Sequence, residues 1–199
     1  VITKEMPMNR LVRNLVSIVV AAGVVLAPTA AGARDENVVY AVNRTDGSAL
    51  VRASVDYRKV NNGKVEEENR AYAVAQCVGC RTLAAAFQLV LVTKPPTILA
   101  PQNEAVAVNN ECDTCVTWAS AKQIVVETGG KAELTKSGRD RLEGVENGLE
   151  SLQEGMMDKS LEQLSAEIDF WFAEFLDVAQ TEIERTDGGH NDARVIASR

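Results

Sequence analysis

One short pattern is written twice in this 199-residue chain. Asn69-Arg70-Ala71-Tyr72-Ala73-Val74 leads to Cys77-Val78-Gly79-Cys80-Arg81-Thr82-Leu83-Ala84, and Asn103-Glu104-Ala105-Val106-Ala107-Val108 leads to Cys112-Asp113-Thr114-Cys115-Val116-Thr117-Trp118-Ala119. Two copies of one segment are expected to fold alike, and repeated units that cannot enclose a core alone bury their apolar faces on each other. Asn37-Val38-Val39-Tyr40-Ala41-Val42-Asn43 resembles the head of both units and reads as a partial third copy without cysteines. Two units and a fragment do not by themselves define a solenoid.

The N-terminus predicts a secretory signal peptide over residues 1–33. Lys4, Arg10 and Arg13 form a basic start, Leu15 to Leu26 is small and aliphatic apart from Ser17, and Ala31-Gly32-Ala33 is an A-x-A cleavage site. The apolar run is shorter than the ~20 residues a membrane span needs, so no transmembrane segment is expected after cleavage. The expected location is secreted or extracytoplasmic, in or near the cell envelope. The remaining chain carries 18 basic and 27 acidic residues. Nucleic-acid binding needs a basic footprint, and this balance argues against it.

Between residues 34 and 130 the pattern predicts a small repeat domain. Asn37 to Asn43 and the alternating run Ala49 to Val60 read as a β-hairpin around Thr45-Asp46-Gly47-Ser48. Thr82 to Val92 and Thr117 to Val126, one after each cysteine pair, are apolar on almost every side and read as buried helices, although their β-branched ends leave strand open. From residue 131 to 187 the period changes. Leu142, Val145, Leu149, Leu152 and Met156 make one helical stripe, and Leu161, Leu164, Ile168, Trp171, Phe175, Leu176, Ala179 and Ile183 another, with Ser160 and Gln163 spaced as a capping box. Residues 140–187 hold 14 acidic and 3 basic side chains, read as a solvated face. Residues 188–199 have no periodicity and read as a flexible tail. The fold class expected is therefore α+β: a disulfide-clipped repeat domain of short strands and two CxxC-headed helices, followed by an acidic helical hairpin.

Four cysteines in an oxidising compartment point to disulfides. The favoured pairing is Cys77 with Cys80 and Cys112 with Cys115, which gives each repeat its own clip, but three connectivities remain open. Two CxxC knuckles are also a zinc-ribbon ligand set or a dithiol redox centre. The long spacing and the expected export weigh against zinc, and two equivalent pairs without a partner site weigh against redox catalysis. No metal or cofactor is therefore expected. His190 is the only histidine, and no P-loop, G-x-G-x-x-G or G-x-S-x-G is present. Glu66-Glu67-Glu68 reads as solvated surface. Phe170, Trp171, Phe172 and Phe175 crowd one helix too closely for a narrow stripe, which makes them candidates for internal docking or for contact with a partner.

The N-x-A-x-A-V and C-x-x-C-x-T-x-A-x-A-x-Q units, with the proline-bearing link before Asn103, resemble the extracytoplasmic C-terminal region of actinobacterial and Bacillus-type proteins called putative peptide zinc metalloproteases. The resemblance runs from about Asn37 to Leu152. It implies an accessory domain with two CxxC units. It carries no protease activity, because the metal-binding histidines of that family's membrane-embedded part have no counterpart in these residues. The expected role is a non-catalytic structural or interaction protein, able to meet a protein partner or itself. The alternative is an extracytoplasmic thiol–disulfide oxidoreductase using one CxxC pair.

Overall fold

The computed structural model describes residues 36–188 and 193–198. The expected signal peptide and His190 lie outside the described residues. Eight strands wind as successive coils: β1 (Glu36–Asn43), β2 (Ala49–Val60), β3 (Lys64–Val65), β4 (Glu68–Ala75), β5 (Arg81–Val92), β6 (Ile98–Leu99), β7 (Gln102–Asn109) and β8 (Val116–Glu127). Each strand pairs in parallel with its counterpart one coil on, giving the sheets β1-β4-β7, β2-β5-β8 and β3-β6. The result is a short parallel β-solenoid. The copies match residue for residue, Glu36 on Glu68 on Gln102 and Ala49 on Arg81 on Val116. Equal strand lengths allow this register to run without a bulge.

This overturns the expected fold class. The protein is mostly β, and the segments after the cysteine pairs are strands, not helices. The physical reason lies in β5, from Thr82 onward buried along its whole length. Leu83, Ala85, Phe87, Leu89 and Leu91 face the C-terminal helices, while Ala84 and Ala86 face the first sheet across the solenoid interior. A strand covered on both faces loses its polar alternation and becomes a continuous apolar run. The expected β1–β2 hairpin is also corrected. Thr45-Asp46-Gly47-Ser48 is a corner between two sheets, and β1 and β2 each pair with a later coil.

Two α-helices follow among the described residues, α1 (Lys136–Ser151) and α2 (Leu161–Thr181). The Thr135 hydroxyl accepts from the Gly138 N–H to cap α1, and Ser160 with Gln163 forms the capping box of α2. The helices do not stand apart as a hairpin unit. Leu142, Val145, Leu149, Leu164, Ile168 and Phe175 share one core with β5 and β8. Arg141 ties them together, bonding Glu174 and Asp177 at 2.8 and 2.6 Å and Glu182 at 3.2 Å. A ribbon of β9 (Ala132–Leu134) and β10 (Ile183–Arg185) joins the outer helix ends. β11 (Arg194–Ser198), in the segment read as a tail, pairs antiparallel with the last residues of β8.

A ladder of side-chain amides runs through the solenoid interior. Asn37 donates to the Asn69 carbonyl oxygen at 2.9 Å, and Asn69 donates to that of Asn103 at 2.7 Å. Asn69 also donates to the Ala86 and Lys122 backbone carbonyls. It is fully buried, so removing it leaves buried acceptors unpaired and opens a void. Asn69→Ala is expected to lower the unfolding free energy by about 2–4 kcal/mol in chemical denaturation.

Candidate functional site

The corner between the first and second sheet is built the same way in each coil. In the first it is Asn43 to Ala49, in the second Ala75 to Arg81, and in the third Asn109 to Val116, with Asn43, Ala75 and Asn109 in one register column. The corners stack: the Gly47 N–H donates to the Val78 carbonyl at 2.9 Å, and the Gly79 N–H to the Asp113 carbonyl at 2.8 Å. Thr45 and Ser48 in the first corner occupy the places that Cys77 and Cys80, then Cys112 and Cys115, take in the next two. The cysteines are thus brought to one edge of the solenoid, where Ala75 and all four sulfurs form a small apolar cluster.

Cys77 and Cys80 lie at bonding distance, as do Cys112 and Cys115, with Cα separations of 5.9 and 6.0 Å. These are the two local pairs. Stacking also places sulfurs of different pairs together: Cys80 Sγ is 3.4 Å from Cys115 Sγ. Cys77, Cys80 and Cys115 offer three sulfurs within 4.8 Å of one another, a set that could hold a soft metal ion only once both pairs were reduced. Cys77 and Cys80 are buried, while Cys112 and Cys115 are half-buried, so any reductant meets the outer pair first.

The residue just before Ser48, Cys80 and Cys115 in each corner turns left-handed: Gly47 at φ 61°, Gly79 at φ 61° and Thr114 at φ 56°. Glycine pays little for this, whereas a β-branched residue is strained there. Glu111, the extra residue of the third corner, is also left-handed at φ 50°.

The aromatic candidates divide. Phe175 is fully buried and Phe172 partly so, both against Phe87 of β5 with ring centroids 5.4 and 5.9 Å away. Trp171 packs over Gly148 of α1, where a Cβ would fall inside the indole. Phe170 is 63% exposed. Glu67 is buried, contrary to the solvated reading of Glu66 to Glu68, whereas Glu68 pairs with Arg70 at 2.6 Å.

Three features have no signal in the sequence taken strand by strand. The outer face of the first sheet stacks Tyr40 on Tyr72, centroids 5.0 Å apart. The Tyr72 hydroxyl donates to Glu104 at 2.6 Å, and that carboxylate, with some desolvation, pushes the phenol up to about 12. The amide ladder and the stacking of both cysteine pairs need the register between coils. Only alignment of the three copies could have exposed them.

No protein-family model, curated protein or solved structure matches this chain.

Two outcomes follow from these contacts. Thr114→Gly removes a strain of roughly 1–2 kcal/mol and returns roughly 0.5–1 kcal/mol of chain entropy, so it should raise stability by about 0.5–1 kcal/mol in denaturant melts. In an ultraviolet pH titration, Tyr72 should ionise near 12, and Glu104→Gln should bring it down toward the ordinary tyrosine range. The sign agrees with linkage. The bond stabilises the fold below the unfolded phenol's pKa and is lost as pH rises through the folded value.

Proposed function

We propose that this protein is a secreted or envelope-associated, non-catalytic interaction protein: a β-solenoid whose second and third corners are clipped by local disulfides. The observation that carries the reading is the equivalence of the corners. Where Cys77 and Cys80 sit in the second coil, the first coil has Thr45 and Ser48, and it closes by hydrogen bonds to Asn43 Oδ1 from the Thr45 N–H at 3.1 Å and the Ser48 hydroxyl at 3.0 Å. A position that accepts either a hydroxyl corner or a cysteine corner serves closure of the chain, not chemistry on a substrate. The resemblance to an accessory CxxC region without protease residues points the same way. A second reading, a thiol–disulfide oxidoreductase, draws on the 3.4 Å approach of Cys80 and Cys115.

Tryptic mapping of the secreted protein under non-reducing conditions separates the readings, because Arg81 lies between the two pairs. The expected result is two unlinked peptides, Ala71–Arg81 and Thr82–Lys122, each lighter by two hydrogens than its reduced form and each slow to reduce in mild thiol buffer. A peptide joined across the coils, or rapid exchange with glutathione, would set this reading aside for the redox one.

A further inference from the structure

We propose that the third coil is a docking end, at which an extended strand–turn–strand segment of a partner protein adds a fourth coil by pairing in parallel with β7 and with the first part of β8. β7 is the last strand of its sheet and has no neighbour on its outer side among the described residues. β11 covers the outer side of β8 only from Ile124 to Glu127, and among the described residues no strand pairs with that side of Val116 to Gln123. Most telling are the inward positions. Ala71 and Ala73 of the second coil are wholly buried, yet Ala105 and Ala107, in register on top of them, are exposed. They face the interior with nothing over them, as interior residues do where a coil is missing, and solenoid ends ordinarily carry a polar cap.

The asparagine ladder, and a second row in which Asp56, Gln88 and Gln123 stand one above the other, both stop at this end with bonding capacity unused. Asn103 donates to the Ala121 carbonyl at 2.8 Å and has its second amide hydrogen unengaged among the described residues. Gln123 donates back to Gln88 at 2.6 Å, as Gln88 does to Asp56, and the Gln123 side-chain oxygen is buried with no partner among the described residues. A fourth coil therefore needs an acceptor over Asn103, small residues over Ala105 and Ala107, and a donor over Gln123. Its flanks should be neutral or basic, because Glu111, Asp113, Glu162 and Asp169 rim the end. A second copy does not meet these terms. Its first coil would set Asp56, an acceptor, against the Gln123 oxygen. Its β2 edge is already met by the chain leaving α1, where the Val51 N–H donates to the Gln153 side-chain oxygen at 3.2 Å.

The proposal deepens the interaction reading but is tested apart from the cysteine mapping, so either can fail alone. The probe is a labelled peptide of residues 68–89 of this chain with Cys77→Ser and Cys80→Ser, which carries Asn69, Ala71, Ala73 and Gln88 at the required positions. It should bind the intact protein saturably and slow hydrogen exchange at the amides of Gln102 to Asn109. A peptide that also carries Asn69→Val and Gln88→Leu should bind about tenfold weaker or worse. The protein variant Ala105→Lys, at an exposed site, should keep its unfolding midpoint and lose binding. No saturable binding, equal binding by both peptides or by Ala105→Lys, or protection confined to other strands would overturn the proposal. So would sedimentation showing self-association of the protein that Ala105→Lys abolishes, since the occupant would then be a second copy.

Discussion

Asn37, Asn69 and Asn103 lie on one line through the stack, and their hydrogen bonds fix which residue of each coil meets which residue of the next. A slip of one residue in any coil would turn these amides outward and put Val38, Arg70 or Glu104 inside. A buried amide without partners is costly, so the ladder penalises every register but one. The rest of the fold depends on that register. Only in this alignment do the alanines 71, 73, 84 and 86 face each other, small enough for the two sheets to approach. Only here do the cysteine corners stack.

The second sheet is the stabilised wall of the molecule. One face packs on the solenoid interior and the other on both helices, through Phe87, Phe172 and Phe175. Its edges are managed too. Gln153 bonds the Val51 N–H on the edge of β2, and β11 covers the end of β8. Edge strands left open are templates for further pairing. Among the described residues the first sheet has no helix on its outer face and no strand beyond β7, so the contrast between the two walls lies in what covers them.

Part of this was legible in the sequence and part was not. The stripes Leu142 to Met156 and Leu161 to Ile183, and the box Ser160–Gln163, depend on contacts within a few residues, so periodicity reports them. The two cysteine pairs follow from local spacing for the same reason. Thr82 to Val92 defeated the reading because a strand buried on both faces and a helix buried all round give the same apolar run. The β-branched residues Val90 and Val92 and the repeat itself were the signals for strand, since equal copies pair in register most simply as parallel strands. The amide ladder joins residues 32 and 34 positions apart, and the contact of Cys80 with Cys115 spans 35. Such contacts do not exist until the register does.

The corners also explain why the cysteines begin at the second coil. In the first, the Asn43 side chain closes the turn by itself, donating to the Ser48 and Arg81 carbonyls and accepting from the Thr45 N–H and the Ser48 hydroxyl. In the second coil the same column holds Ala75, which has no group to offer. In the third it holds Asn109, whose side-chain oxygen is already engaged by the Thr117 hydroxyl, while the turn carries an inserted Glu111 and a left-handed Thr114. Each corner that lacks a free asparagine carries a cysteine pair. A clip closing a four-residue loop contributes only ~2 kcal/mol through chain entropy. That is comparable to the few hydrogen bonds the first corner makes through Asn43, at about 0.5–1.5 kcal/mol each. Covalent and hydrogen-bonded closure are thus alternative solutions to one geometric demand: a sharp turn between two sheets that every coil must repeat.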